Sequence, residues 1–255
     1  MKLPAVRSTR KAGRRVPDDL IDVDPIQNRL IRALPEMERE RILPRLELVR
    51  LPLGKVLYET GRIPQHVYFP ADAIVSLLYV TRDGASGEIA VVGNDGMLGV
   101  SLFMGGESTL SRAVVQGAGY AFRLPGTTIK QEFHRAQVLQ ILLLRYTQCL
   151  ITQMSQTAVC NRRHAVEQQL CRWLLMSLDR IAGNELAMTQ ELIANMLGVR
   201  REGVNEAAAR LQKLGAILYR RGRITVLDRP MLERLCCECY AVVVNETARL
   251  LQLPA

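Results

Sequence analysis

The period of the apolar positions changes along the chain, and each change marks a boundary between regions of different structure. Residues 26–48 carry apolar side chains at helical spacing, interrupted by Pro35, which predicts short helices. From residue 49 to residue 125, β-rich runs alternate with turn signals, and 12 of the 18 glycines lie between Gly54 and Gly126. The runs cover residues 55–58, 65–69, 73–80, 88–92, 111–115 and 120–124. Because no helix-length pattern interrupts them, they predict an antiparallel sandwich or barrel rather than a parallel sheet.

After residue 126 the period becomes helical again. A short helix is predicted over residues 127–133, and a long one over residues 136–159. The long helix has a broad apolar face made of Leu139, Leu142, Leu143, Tyr146, Cys149, Leu150 and Met154. Such a face can pack against the β domain and against a second copy of the same helix, or it can be buried within a monomer. The apolar stripe continues past the β domain, which favours a homodimer.

The stretch 188–215 predicts two helices joined by a tight turn, after a preceding helix over residues 161–181. Thr189 can cap the first helix, Gly198 can adopt the positive φ of the turn, and Gly215 can end the second helix. The inner face of the second helix would consist of Val204, Ala207, Ala208 and Leu211. Small residues where the helices must cross closely favour a helix-turn-helix over a generic helical hairpin.

The outward side chains of the second helix predict that it reads DNA. Such helices contact base edges with their early residues, where arginine pairs with guanine, asparagine with adenine and glutamate with cytosine. The candidates for base contact are Arg200, Arg201, Glu202, Asn205 and Glu206. The candidates for phosphate contact are Thr189, Gln190, Arg210 and Lys213, with Arg221 and Arg223 from a predicted hairpin after the helix. The alternative is an ordinary charged solvent face, which the arginine-rich hairpin disfavours.

The basic composition favours a polyanionic binding partner. Lys and Arg number 34 against 25 Asp and Glu, giving a formal charge of +9, although many basic proteins are merely soluble. Residues 1–25 are basic and lack apolar periodicity, which predicts a disordered tail. Neither a secretory signal nor an apolar run long enough to cross a bilayer is recognisable. The sequence therefore predicts a cytoplasmic protein with reduced thiols and no membrane partner.

Residues 26–235 resemble the Crp/Fnr family of bacterial transcription regulators. The resemblance rests on the glycine-punctuated β region, the long helix, and the helix-turn-helix followed by RGRITVLD at 221–228. It implies an α+β fold with an N-terminal cyclic-nucleotide-binding-like antiparallel β-roll, a long dimerisation helix and a C-terminal winged helix-turn-helix. The predicted regions are a tail over 1–25, a sensor domain over 26–134, a dimerisation helix over 135–160 and a DNA-binding domain over 161–255.

The resemblance implies a homodimeric, sequence-specific DNA-binding regulator, not an enzyme, controlled by an unidentified signal at the β-roll. Its partners would be double-stranded DNA with a near-palindromic site and, for an activator, RNA polymerase. The family's Arg-Glu pair is present as Arg201-Glu202, whereas Arg200 replaces a capping serine and Glu206 replaces an arginine. Gly203 and Glu206 motivate an alternative, a ligand-binding sensor whose helix-turn-helix serves protein interaction.

The β-roll departs from the family's cyclic-nucleotide binders. Those proteins carry a glutamate for the ribose, where Gly99 or Val100 stands here, and an arginine for the phosphate, where Ser111 stands. Arg112 follows one residue later, and a shift of one residue turns a strand side chain to the opposite face. Cyclic AMP is therefore not expected, and Glu107 with Arg112 could either bind another ligand or form surface salt bridges. The candidate effector pocket consists of Gly99, Val100, Ser111, Arg112 and Ala113.

No metal or cofactor is expected from the cysteines. The family's iron–sulfur sensors use N-terminal cysteines, and the first cysteine here is Cys149. A cluster near the C-terminus, Cys236, Cys237 and Cys239, is predicted to lie on one helix without a second ligand pair for zinc. The remaining cysteines, Cys149, Cys160 and Cys171, are interpreted as small core residues.

The three histidines, His66, His134 and His164, share no metal-ligand spacing. This argues against a cupin-type oxygenase, which also has a small β-roll but needs His-rich metal motifs. Haem ligation by His66 or His134 remains open, beside the simpler interpretation of both as ordinary polar residues.

Overall fold

The computed structural model describes residues 23–135 and 137–251. The predicted tail, residues 1–25, lies outside this part except for its last three residues. Two short helices, α1 (Arg29–Arg32) and α2 (Glu36–Ile42), open the described chain, as the apolar spacing predicts.

Hydrogen bonds of the Asn28 side chain join the first helix to the β domain. Its Oδ1 accepts hydrogen bonds from the N–H groups of Leu30 and Ile31 and so caps α1. Its Nδ2 donates to the carbonyl oxygens of Pro70 and Gly96, at 2.9 and 2.8 Å. One buried side chain therefore satisfies the helix terminus and two carbonyl groups of the β domain together.

Within the described part of the N-terminal half, seven strands form two antiparallel sheets, and each of the six predicted β-rich runs overlaps one of them. The strands are β1 (Glu47–Leu51), β2 (Val56–Tyr58), β3 (His66–Pro70), β4 (Ile74–Val80), β5 (Ser86–Val92), β6 (Arg112–Gly117) and β7 (Gly119–Pro125). The sheet orders are β1-β7-β3 and β2-β6-β4-β5. The sequence missed β1 because only Leu51 in it is fully buried, so the strand shows no clear alternation of buried and exposed positions.

Two helices complete the N-terminal half, α3 (Gly126–Arg135) and α4 (Gln137–Arg163). The predicted end of the long helix at residue 159 is wrong. The helix has 27 residues and continues to Arg163, because no breaking residue intervenes before the extended backbone of Ala165. The next helix, α5, covers only Val166–Leu178.

One broad face of α4 was expected to serve both the β-roll and a second copy. The residues named for that face are instead buried within the chain or, in the case of Met154, partly buried: Leu139, Leu142, Leu143, Tyr146, Cys149 and Leu150. A different set remains exposed along the helix, namely Ile141, Leu144, Ile151 and Val159. We call these four residues the outer stripe.

The C-terminal half forms a winged helix-turn-helix. Its elements are β8 (Glu185–Ala187), α6 (Gln190–Leu197), α7 (Arg201–Lys213), β9 (Ile217–Arg220), β10 (Arg223–Val226), α8 (Arg229–Leu235) and α9 (Cys239–Leu251). The three strands pair in the order β8-β10-β9. The short β8 was not predicted, whereas the hairpin β9–β10 was. Within the described residues, no helix is long and apolar enough to cross a bilayer.

The C-terminal half docks directly on the β-roll. Ile74 and Val91 lie on β-roll strands but belong to the buried cluster of the C-terminal helices. Arg180, just after α5, pairs with Asp95 through an Nη2–Oδ2 contact of 2.6 Å. A Cβ atom at Gly93 would lie 2.6 Å from the Cβ of Arg180, so only glycine fits beneath this pair. Apolar and ionic contacts therefore join the two halves.

Candidate nucleic-acid interface

The turn between α6 and α7 is built from the residues that the sequence singled out. The Thr189 hydroxyl accepts a hydrogen bond from the N–H of Leu192 at 3.2 Å and caps α6. Gly198 follows α6 with φ +65°, a left-handed conformation that costs glycine little. The N–H of Val199 donates to the carbonyl of Ala194, which closes the turn. This local geometry aims the N-terminus of α7 outward.

Helix α7 divides cleanly into an inner and an outer face. The inner residues Val204, Ala207, Ala208 and Leu211 are buried. The outer residues Arg200, Arg201, Glu202, Asn205 and Glu206 are all exposed. Arg200 occupies the N-cap position without a side-chain hydrogen bond, as expected from the absence of a capping serine. Glu202 lies in the first turn, where the helix dipole favours a negative charge.

A cleft of about 460 Å³ lies between α7 and the β9–β10 hairpin, and several of the predicted residues line it. Thr189, Gln190, Arg201 and Arg221 line it. Arg210 and Lys213 lie in the last turn of α7 and do not line this cleft. The structure thus brings one end of α6, the start of α7 and the hairpin tip together on a single surface.

Tyr219 is a residue of this cleft that sequence reasoning missed. Its hydroxyl donates to the carbonyl oxygen of Met188 at 2.8 Å, and its N–H donates to Oε1 of Gln212 at 2.7 Å. Burial raises the pKa of Tyr219, and the positive charge of Arg201 opposes that shift. Tyr219 therefore ties the hairpin to the residues before α6 and to α7. Its position between Leu218 and Arg220 in a β-rich run was the only sequence signal for it.

The hairpin tip is strained in a way that presents an arginine. Arg221 and Gly222 both have positive φ, +51° and +74°. Two successive left-handed residues characterise the tight turn that matches the twist of a two-stranded hairpin. Arg223 follows on β10, where its guanidinium pairs with Glu185 on the neighbouring strand.

Two of the arginines predicted to contact phosphate have carboxylate partners. Arg210 lies 3.7 Å from Glu167 (Nη1 to Oε2), and Arg223 pairs with Glu185. The side chains of both arginines are largely exposed, at 71% and 67%. Exposed ion pairs contribute at most about 1 kcal/mol, so a phosphate group could replace either carboxylate at small cost.

Comparison with known protein families identifies both halves of the chain. Residues 48–136 match the model of the cyclic nucleotide-binding domain, and residues 168–235 match that of the Crp-like helix-turn-helix domain. The chain belongs to the Crp/Fnr family. It is therefore a transcription regulator with a helix-turn-helix DNA-binding domain, as the sequence predicted, and not an enzyme.

Several solved structures share the fold. A protein described as a transcriptional regulator of this family from Eubacterium rectale aligns with a TM-score of 0.63 and 17% identity, over 81% of this chain and 96% of that one. FixK2 from Bradyrhizobium japonicum gives 0.63 and 16%, over 75% and 98%. CLP from Xanthomonas campestris, a c-di-GMP-responsive global regulator, gives 0.60 and 16%, over 76% and 100%. No curated protein sequence matches the chain.

In this Crp/Fnr regulator, a buried tyrosine lies beside the residues of the candidate effector pocket. Tyr58 is buried, and burial raises its pKa, whereas its polar interactions with the backbone of Gly99 and the side chain of Ser111 act in the opposite direction. It pairs across the sheet with Ala113. A Cβ atom at Gly99 would lie 3.2 Å from the carbonyl oxygen of His66, and Gly99 has φ +92°, so this position is unsuited to a ribose-binding glutamate. Val100 begins a 3-10 turn beside it.

The two charged candidates of the β-roll form surface pairs. Arg112 Nε lies 3.1 Å from Glu59 Oε2, an ion-pair distance without hydrogen-bond geometry. Glu107 lies 3.5 Å from the ammonium of Lys130. Glu107 and Arg112 therefore form salt bridges with separate partners and not with each other.

The prediction that the three C-terminal cysteines share one helix is wrong. Helix α8 ends at Leu235 and α9 begins at Cys239, and Cys236 between them has an extended backbone. Cys160, interpreted from the sequence as a small core residue, is fully buried but packs in a separate cluster with Cys237 and Cys239.

Proposed function

We propose that the chain is a homodimeric, sequence-specific DNA-binding transcription regulator that acts in the cytoplasm and receives a signal through its β-roll. The observation that carries this proposal is the surface on which Thr189, Gln190, Arg201 and Arg221 converge around the cleft between α7 and the hairpin. An exposed helix N-terminus flanked by an arginine-tipped hairpin suits the major groove and its adjacent phosphates.

Base and phosphate contacts are divided according to position on this surface. The early outer residues of α7 would reach base edges: Arg200, Arg201, Glu202, Asn205 and Glu206. Side chains around them would bind phosphates: Thr189, Gln190, Arg210, Lys213, Arg221 and Arg223. Glu206 cannot donate to guanine and repels phosphate, so the preferred half-site would place cytosine or no close contact opposite it.

The outer stripe of α4 supports the homodimer. Its members Ile141, Leu144, Ile151 and Val159 are 47–50% exposed although all are large and apolar. They follow one another at three-, seven- and eight-residue intervals, which keeps them on one face of the helix. A second copy of α4 is the partner that such a stripe fits, because both helices then bury equivalent residues about a two-fold axis.

The signal is proposed to differ from a cyclic nucleotide. Tyr58 is buried beside Gly99 and Ser111, and Arg112 is paired with Glu59 at the surface. A ligand in the candidate pocket, made of Gly99, Val100, Ser111, Arg112 and Ala113, would contact the buried side chain of Tyr58. If the regulator is an activator, RNA polymerase would be its second protein partner.

Selection of bound sites from a random DNA pool, with the full chain, tests the proposal directly. The expected result is a near-palindrome with half-sites about one helical turn apart. Binding to it should be orders of magnitude tighter than to scrambled DNA at the same salt concentration. Enrichment of no sequence at moderate salt would instead favour a sensor whose helix-turn-helix binds protein. An enriched site without two-fold symmetry would contradict the dimer.

A further inference from the structure

Three thiols and one imidazole from distant parts of the chain meet at the end of the long helix. Cys160 lies in the last turn of α4 and His164 directly follows that helix, whereas Cys237 and Cys239 lie between α8 and the first turn of α9. Cys160 Sγ is 3.6 Å from Cys237 Sγ, and Cys239 Sγ is 3.6 Å from His164 Nδ1. One potential ligand atom from each of the four residues lies within 4.8 Å of all the others.

These separations fit a tetrahedral zinc ion. Zn–S bonds of about 2.3 Å and Zn–N bonds of about 2.0–2.1 Å place neighbouring ligand atoms about 3.5–3.8 Å apart. Both 3.6 Å contacts fall within this range. A disulfide between Cys160 and Cys237 would instead require the two sulfur atoms to approach to about 2.05 Å.

The backbone holds the ligands in two pairs. The N–H of His164 donates to the carbonyl of Cys160 at 3.0 Å, so these side chains are one helical turn apart on the same face. Cys237 and Cys239 flank one residue at the start of α9, and the N–H of Tyr240 donates to the carbonyl of Cys237 at 3.3 Å. The second ligand pair that the sequence did not reveal is therefore supplied by the last turn of α4 and the residue that follows it.

The surroundings of the cluster also suit a metal. His164 Nε2 lies 3.4 Å from a carboxylate oxygen of Glu238, the partner that a metal-bound imidazole commonly has on its other nitrogen. The buried guanidinium of Arg172 interacts electrostatically with Cys160 and Cys239. Zinc with three thiolates carries one net negative charge, and a buried cation would offset it.

We propose that Cys160, His164, Cys237 and Cys239 bind a structural zinc ion. Four protein ligands leave no open position, which is the arrangement of structural rather than catalytic zinc. Each thiol would release its proton to solvent on binding. The ion would fasten the end of α4 to the segment between α8 and α9, and so connect the dimerisation helix to the C-terminal end of the DNA-binding domain.

Metal analysis of the untagged full chain, purified without chelators, tests the proposal. The expected content is about one zinc per chain. Replacement by Co²⁺ should produce the visible absorption of tetrahedral cobalt with thiolate ligands. Removal of the zinc should lower the melting temperature, and added Zn²⁺ but not Mg²⁺ should restore it.

Substitutions assign the ligands. Cys237→Ser should lose most of the zinc, whereas Cys236→Ser removes the adjacent thiol outside the ligand group and should retain it. His164→Ala should weaken zinc binding by at least tenfold, and His164→Cys should restore it by supplying a fourth thiolate. If the variants fail to fold, the cobalt spectrum of the parent chain still decides whether a thiolate site exists.

Three results would overturn the proposal. The first is a chain isolated without zinc that also fails to bind added Zn²⁺ with micromolar or tighter affinity. The second is a metal-free chain whose mass is lower by two hydrogens because Cys160 and Cys237 form a disulfide. The third is equal loss of zinc from Cys236→Ser and Cys237→Ser.

Discussion

The side-chain amide of Gln190 donates a hydrogen bond to Oδ1 of Asn205, joining the first turn of α6 to the second turn of α7. This contact orients the Asn205 amide, whose oxygen has a second lone pair and whose Nδ2 can still donate to a base. A residue expected to bind phosphate therefore also positions a residue expected to read adenine. Preorganisation of this kind reduces the entropy lost on binding.

The contact predicts energetic coupling between the two residues. Gln190→Ala and Asn205→Ala should each weaken binding to the selected site, and the double variant should lose less than the sum. Coupling between directly contacting residues is typically about 0.5–3 kcal/mol. Affinities of the parent, both single variants and the double variant complete the cycle. If the two single-variant losses in binding free energy sum to the double-variant loss within about 0.5 kcal/mol, the hydrogen bond between Gln190 and Asn205 does not persist in the complex with DNA.

Arg201 should contribute base recognition beyond its charge. Arg201→Ala is expected to cost about 1–3 kcal/mol in binding and to relax the preference at one base position in each half-site. Arg82→Ala removes the same charge from the exposed turn between β4 and β5 and should change affinity little. Fluorescence anisotropy with the selected site and its single-base variants measures both effects. If Arg201→Ala and Arg82→Ala lose the same binding free energy, Arg201 contributes to DNA binding only through its charge.

The outer stripe should control assembly. Ile151→Glu places a carboxylate at an apolar position that is 50% exposed, and it should convert the proposed dimer to a monomer because the charge would be buried without a partner. Ile63→Glu makes the same change at another isoleucine that is 50% exposed, in the loop before β3, and should leave the dimer intact. Light scattering after size-exclusion chromatography gives the masses. A monomeric parent chain would contradict the prediction outright.

Two glycines of the helix-turn-helix should respond oppositely to substitution by alanine. A Cβ atom at Gly203 would lie 3.7 Å from Val166 Cγ2, an ordinary contact, so Gly203→Ala should stabilise the fold by about 0.5–1 kcal/mol. Gly198 has φ +65°, so Gly198→Ala should destabilise it by about 1 kcal/mol. Urea denaturation of both variants compares the free energies of unfolding. A destabilised Gly203→Ala would mean that α7 does not pack as described.

Glu88 should make stability depend on pH. Burial raises its pKa from 4.5 to about 7, although the Ser76 hydroxyl and the charges of Arg172 and Arg180 act in the opposite direction. Between these values the unfolded chain has lost the proton and the folded chain retains it. The free energy of unfolding should therefore fall as the pH rises from 4.5 to 7, by an amount on the order of 3 kcal/mol, and then level off.

Glu88→Gln removes this titration while retaining a polar side chain of similar size. Urea denaturation of the parent and the variant at pH 5 and pH 8 isolates the effect of this residue from other titrations. The stability of the variant relative to the parent should be higher at pH 8 than at pH 5. A relative stability that is the same at both pH values would show that Glu88 titrates normally in the folded chain.

The sequence by itself determined those features that depend on neighbouring residues. Thr189, Gly198 and the inner face of α7 predicted the helix-turn-helix, because a cap or a turn is specified within a few residues and a buried helix face repeats every three or four. The glycine-punctuated β-rich runs predicted the strands of the β-roll for the same reason. Among the strands in the described residues, β1 and β8 were not predicted, and β1 shows no clear alternation of buried and exposed positions.

Tertiary structure decided which distant residues meet and which apolar residues stay exposed. Cys160 and Cys237 are separated by 77 positions in the sequence. No local sequence pattern predicts that the end of α4 packs beside the start of α9. The periodicity of α4 likewise could not show which of its apolar residues the β-roll covers and which form the outer stripe. Packing between elements selects these pairs, and its energy depends on surfaces assembled only when the whole chain has folded.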